Sequence, residues 1–246
     1  MGANYTEDEL ISLLKHTQLK KNLVVEGTTD NLIYRKIEAS TKLNILVTNG
    51  RIDLLKIYQR RSEILGRNVF FLADQDFFLF FGIPEEYNGI IWTTGYSIEN
   101  DIITGSNLED YFQDEDAEEY RKILAFLCDW FAFILQSHIG NDGEVCCNKS
   151  LFQTWNRTLN CPSLSYLQQI NYSKPVSDFI TRIQEQPLLN IRGKNILDLF
   201  HYILSQPGRI TKYNSSQILD ICLHNHNSVF NKITIPSISK LLQDCV

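Results

Sequence analysis

Short apolar runs that end in acids are the feature that most constrains this chain. Leu23-Val24-Val25 runs directly into Glu26-Gly27, and Val69-Phe70-Phe71-Leu72 runs into Ala73-Asp74-Gln75-Asp76. Leu43 to Val47 and Ile90-Ile91-Trp92 are two further runs of the same kind. Such runs, bounded by turn residues, read as strands buried on both faces. The stretches between them have helical spacing. Thr6 and Glu9 form a capping box ahead of Leu10, Leu13 and Leu14, which predicts a first helix over about 7–18. Leu32, Ile33, Tyr34 and Ile37 predict a second helix, capped by Thr29 or Asp30. After the Asn49-Gly50 turn, Ile52, Leu54, Leu55, Ile57 and Tyr58 predict a third, stopping near Gly66. A further helix starts at Ser97.

Strands alternating with helices across short connections give an α/β fold, a mostly parallel sheet with helices on both faces. Beyond about residue 107 the texture changes. Acids crowd Glu109 to Glu119, and helical periodicity then dominates Ile123–Gln136, Val176–Gln184, Asn195–Leu204, Ile218–Leu223 and Ile238–Leu242. The reading is therefore a sheet domain over 1–106 with its N-terminal helix, and a mainly helical domain over 107–246 with long loops near 138–175. The Asn141–Ser173 region has no functional reading.

Composition limits the function. With 23 Lys and Arg against 29 Asp and Glu, the net charge is −6. That balance argues against a broad basic surface for nucleic acid, though a carboxylate site filled with divalent cations still meets phosphates. The longest apolar stretch, Ile123 to Gln136, is interrupted by Cys128-Asp129-Trp130 and is short of a membrane span. The start of the chain has neither a basic nor an apolar leader region, so the expectation is a cytoplasmic protein. Met1-Gly2 with Thr6 matches the myristoylation pattern, which is short enough to arise by chance. Six cysteines (128, 146, 147, 161, 222 and 245) read as reduced thiols. His138, Cys146, Cys147 and Cys161 lack the C-x2-C spacing of a zinc site.

The acids at the strand ends carry the chemistry. In a parallel sheet Glu26, Asp74, Asp76 and Glu99 emerge at one end, where ligands bind. Strand alternation predicts that Asp74 and Asp76 face one way. No Arg or Lys lies between Ala73 and Phe81 to pair with them. Like charges about 4 Å apart repel by roughly 4 kcal/mol at an effective dielectric of 20. Such a cluster therefore calls for protonation, pairing or bound cations, and hard oxygen donors suit Mg²⁺ or Mn²⁺. Gly27 and Gly50 allow close backbone approach to a phosphate, and Lys21 is a further substrate-binding candidate. Each acid also has a plain alternative: Asp30 a helix cap, Asp76 a turn residue, Glu99 a first-turn acid on the helix dipole. Phe77, Phe78, Phe80 and Phe81 read as core or as an interface lip.

Val24-Val25-Glu26-Gly27-Thr28-Thr29-Asp30, Leu72-Ala73-Asp74-Gln75-Asp76-Phe77 and Tyr96-Ser97-Ile98-Glu99-Asn100 together resemble a Toprim domain of the kind found in OLD-like nucleases. The likeness covers about residues 20–105, with Arg192-Gly193-Lys194 added from the tail. The combination is similar to the stand-alone Toprim effectors of the PARIS anti-phage defence system. What the resemblance implies is a metal-dependent nuclease. Glu26 would be a metal ligand and general acid–base, Asp74 and Asp76 would hold Mg²⁺, and Glu99 would complete a second metal site. Lys194 would be the catalytic lysine, its plain alternative being a solvated helix-end cation. The resemblance further implies an ABC-type ATPase partner (AriA-like), release from it, homodimerisation, and cleavage of tRNA.

Other readings stay open. The chain lacks the catalytic-tyrosine region of a topoisomerase, the zinc ribbon of a primase, and a P-loop. The same metals serve a DNA endonuclease or nickase. A non-catalytic subunit docking to an ATPase would keep the fold without the chemistry. A phosphoacceptor receiver places its acidic pair after the first strand, the reverse of the order here. An acidic chain grips nucleic acid only with help. Dimerisation or a partner is therefore expected, with Lys20, Lys21, Arg60, Arg61, Arg67, Lys194, Arg209 and Lys212 facing the substrate.

Overall fold

The computed structural model describes residues 5–17, 21–27, 31–64, 68–139, 147–176 and 178–244. The capping residues Thr29 and Asp30, the helix stop at Gly66, the basic residues Lys20 and Arg67, Cys146, Cys245 and the first residues of the myristoylation pattern lie outside them. The chain divides into two compact units, one formed by residues up to Ser97 together with those from Val229 onward, the other by Ile98–Ser228. The boundary thus precedes the expected 106/107 division, and the tail belongs with the sheet.

In the first unit the elements run α1 (Glu7–His16), β1 (Asn22–Val25), α2 (Asn31–Thr41), β2 (Asn44–Val47), α3 (Arg51–Gln59), β3 (Val69–Ala73), α4 (Phe78–Phe81) and β4 (Ile91–Trp92). All strand pairings are parallel, in the order β2-β1-β3-β4. β1 is central and fully buried, which is why its sequence is apolar without alternation. The predicted capping box holds α1: Thr6 Oγ1 accepts from the Glu9 amide at 3.3 Å, and Glu9 accepts from the Thr6 amide at 2.7 Å. Leu10, Ile11 and Leu14 of α1 pack with Leu54, Ile57 and Tyr58 of α3 and with Phe71 in one apolar layer. On α2, Ile33 and Ile37 are buried, and the last helix of the chain packs on it.

The second unit is helical: α5 (Ile98–Ile103), α6 (Asp116–Ile139), α7 (Leu151–Thr154), a two-stranded antiparallel pair β5 (Trp155–Asn156) and β6 (Cys161–Pro162), α8 (Leu164–Gln169), α9 (Asp178–Glu185), α10 (Pro187–Asn190), α11 (Gly193–Leu204) and α12 (Ser215–His224). The expected long loop over 138–175 therefore carries short elements of its own. The helical periodicity over Ile123–Gln136 falls within α6, one helix of 24 residues. By length and composition α6 is apolar enough to cross a membrane, but more than half of its most apolar stretch is buried among the other helices. Trp130 and Phe131 sit at its core, with Leu199 and Phe200 of α11 equally buried. One π-helical turn (Phe230–Thr234) leads into α13 (Ile235–Asp244), which returns to the first unit.

Candidate functional site

The strand order fixes where chemistry belongs. From β1 the chain passes to β2 on one side and then crosses to β3 on the other, so the switch in order falls between β1 and β3. The crevice of such a sheet lies at the carboxyl ends of those two strands. Glu26 follows β1 there and Asp74 follows β3. The two are joined directly: Oε1 of Glu26 accepts a hydrogen bond from the Asp74 amide at 3.0 Å.

The turn bearing Glu26 is well held. Gly27 has a φ of +59°, in the left-handed region where glycine is at ease. The Tyr34 hydroxyl donates to the carbonyls of Glu26 and Gly27, the latter at 3.0 Å. At the end of β2, Thr48 donates from its amide to the Val25 carbonyl at 2.9 Å, and its hydroxyl lies 3.1 Å from the Gly50 carbonyl. Gly50 caps α3 with a φ of +119°.

Burial pushes the Glu26 carboxyl up to about 7; the nearby Asp76 charge adds to the rise, while Arg51 and the Asp74 amide oppose it. A carboxyl titrating near neutrality takes or gives a proton at working pH.

Asp76 departs from expectation. β3 ends at Ala73, so the alternation that would align Asp74 with Asp76 stops before either. Asp76 stands in a turn with a φ of +47°, its amide donating to the Tyr96 carbonyl at 2.8 Å. Gln75 secures the same turn through Thr93, whose hydroxyl accepts from the Gln75 amide at 3.1 Å.

The sequence reading also missed a cation. Arg51, the first residue of α3, donates from Nη1 to Oδ2 of Asp76 at 2.7 Å and to the Asp74 carbonyl at 3.1 Å. Its guanidinium lies 4.3 Å from the centroid of the Phe78 ring and 5.5 Å from that of Trp92. No basic residue lies within the Ala73–Phe81 segment, but the segment is paired from α3. The available signal was that Arg51, like the acids, follows the carboxyl end of a strand.

The remaining candidates belong to other segments of the chain. Lys21 precedes β1, so it stands at the amino edge of the sheet. At roughly 3.3 Å per residue that is about 16 Å along the strand from Glu26, which removes it from this crevice. Glu99 belongs to the second unit, buried in the first turn of α5. Lys194 belongs to that unit too, exposed at the second position of α11. The segments carrying them are tied: the Asn100 amide donates to the carbonyls of Leu188 at 2.6 Å and Ile191 at 2.8 Å. Of the expected basic surface, Arg209 is instead buried against Asp116, and Arg60 pairs with Asp8 and Glu63. Arg61 lies over the Tyr58 ring, while Lys212 is exposed.

Among the described residues no three His, Cys, Asp or Glu side chains are grouped to hold a metal ion as they stand. The candidate ligands Glu26, Asp74 and Asp76 are nonetheless all carboxylates, the chemistry that Mg²⁺ or Mn²⁺ takes. The donor type fits such an ion, while Arg51 already answers part of the negative charge. The chain matches no family model, and no curated protein matches it.

Proposed function

We propose that this chain is a Toprim-like, metal-dependent endoribonuclease. The observation that carries the reading is the hydrogen-bonded junction of Glu26 and Asp74 at the switch point of a parallel sheet. Asp74 and Asp76 would hold Mg²⁺ or Mn²⁺ with Glu26, and a bound divalent ion supplies charge stabilisation and an acidified water. Glu26, titrating near neutrality, moves the proton. Tyr34 keeps its turn in place. Glu99 and Lys194 complete the site in this reading. The tie from Asn100 to Ile191, next to Arg192-Gly193-Lys194, supports treating those two segments as one assembly.

The substrate is proposed to be tRNA and the role that of a toxic effector of the AriB kind. It would be held by an ABC-type ATPase and active as a homodimer once released, within the cytoplasm. The acidic net charge favours a substrate gripped by an assembly over one gripped by a single chain.

The test is incubation of the purified chain with Mn²⁺ and either tRNA or supercoiled plasmid. Cleaved tRNA that survives intact with Glu26→Gln or Asp74→Asn supports the reading. Nicked plasmid beside intact tRNA would turn it to a DNA nuclease, and cleavage by neither would leave a docking subunit.

A further inference from the structure

We propose that Arg51 serves as a built-in second cation of the carboxylate crevice, so that the site takes one divalent ion per chain in place of two. The inference rests on reading Glu26, Asp74 and Asp76 as a metal-binding site, and it changes what that site needs.

The position of Arg51 is informative. It is the first residue of α3, where the helix dipole disfavours a positive charge. Something other than helix stability holds the side chain, and its contacts identify it. Nη1 reaches Oδ2 of Asp76 at 2.7 Å, the Asp74 carbonyl at 3.1 Å and the Gln75 carbonyl at 3.3 Å. Nη2 reaches the Gln75 carbonyl at 3.4 Å. The guanidinium also lies against the Phe78 face, a cation–π contact that fixes its plane.

One planar cation thus holds three consecutive residues of the loop that carries both aspartates. A divalent ion shared by Asp74 and Asp76 would do the same, so the guanidinium occupies the electrostatic role of one of the two ions. Five N–H groups are available on a guanidinium. Among the described residues, acceptors are found for those of Nη1 and for one of Nη2. Nε–H and the other Nη2–H are left to meet an oxygen of a phosphodiester. A planar fork of that kind suits phosphate better than an ammonium does.

The experiment counts ions on the full-length chain. Mn²⁺ is titrated into wild type, Arg51→Gln, Arg51→Lys and Asp74→Asn, with free Mn²⁺ read by electron paramagnetic resonance and folding checked by circular dichroism. Asp74→Asn sets the background. Above it, wild type and Arg51→Lys take one ion per chain, while Arg51→Gln takes a second ion or binds the first at least fivefold more tightly. Two ions in wild type above that background overturn the inference and leave the metal site standing, a result that does not depend on either Arg51 variant folding. One ion in both wild type and Arg51→Gln, with affinities within twofold, also overturns it. No ion above background in any protein overturns the metal site itself, and the inference with it.

Discussion

Glu26 accepts a hydrogen bond from the backbone of Asp74, 48 residues further along, and so binds the ends of β1 and β3 to each other. The same carboxyl is raised to about 7 from the ordinary 4.5, chiefly by burial. Folded protein therefore holds this proton more tightly than unfolded chain does. The contribution of this group to stability is fully present below pH 4.5, is lost as pH rises toward 7, and does not change beyond. The full shift corresponds to a loss on the order of 3 kcal/mol. Glu26→Gln retains the acceptor but not the charge. Its melting temperature is expected to match wild type near pH 4 and exceed it at pH 8, while catalysis is lost. Melting curves across that range check the first half; equal pH slopes for both proteins would refute the burial argument.

Asn100 is fully buried and donates to two carbonyls, those of Leu188 and Ile191. Asn100→Ala strands both acceptors and opens a cavity, at a cost of about 2–4 kcal/mol in urea unfolding. Asn100→Asp is expected to be at least as damaging, because a carboxylate offers those carbonyls no donor.

Arg209 and Asp116 form a buried ion pair, and Asp116 also accepts from the Gln113 amide at 2.7 Å. Arg209→Met leaves the aspartate charged and uncompensated, costing about 3–5 kcal/mol. Adding Asp116→Asn removes that charge and is expected to recover most of the loss. Denaturant unfolding of the two single variants and the double gives the coupling directly.

The described thiols divide into two classes. Burial pushes Cys128 up to about 12 and Cys222 up to about 11, whereas Cys147 and Cys161 are partly exposed. Reaction with a thiol reagent at pH 8 is expected to modify Cys161 and Cys147 promptly and to reach Cys128 and Cys222 only on unfolding. Peptide mapping of the labelled chain distinguishes them.

How far the sequence could be read follows from the range of each interaction. The four strands and the Thr6–Glu9 cap depend on neighbours within a few residues, and their signals are local. The junction of Glu26 with Asp74 was legible because a parallel sheet delivers strand ends to one edge whatever the details. Arg51 was not, since its pairing with Asp76 is set by the crossover of α3 and not by spacing along the chain. The alignment of Asp74 with Asp76 failed for a local reason, the strand stopping at Ala73 one residue before the pair begins. Lys21 was misplaced because its distance along β1 was not weighed against its nearness in sequence to Glu26.

The order in which the chain revisits its units bears on synthesis. Residues from Val229 onward return to the sheet unit, where α13 lies against α2. On the ribosome, the sheet emerges first yet waits for everything between Ile98 and Ser228 before its last helix arrives.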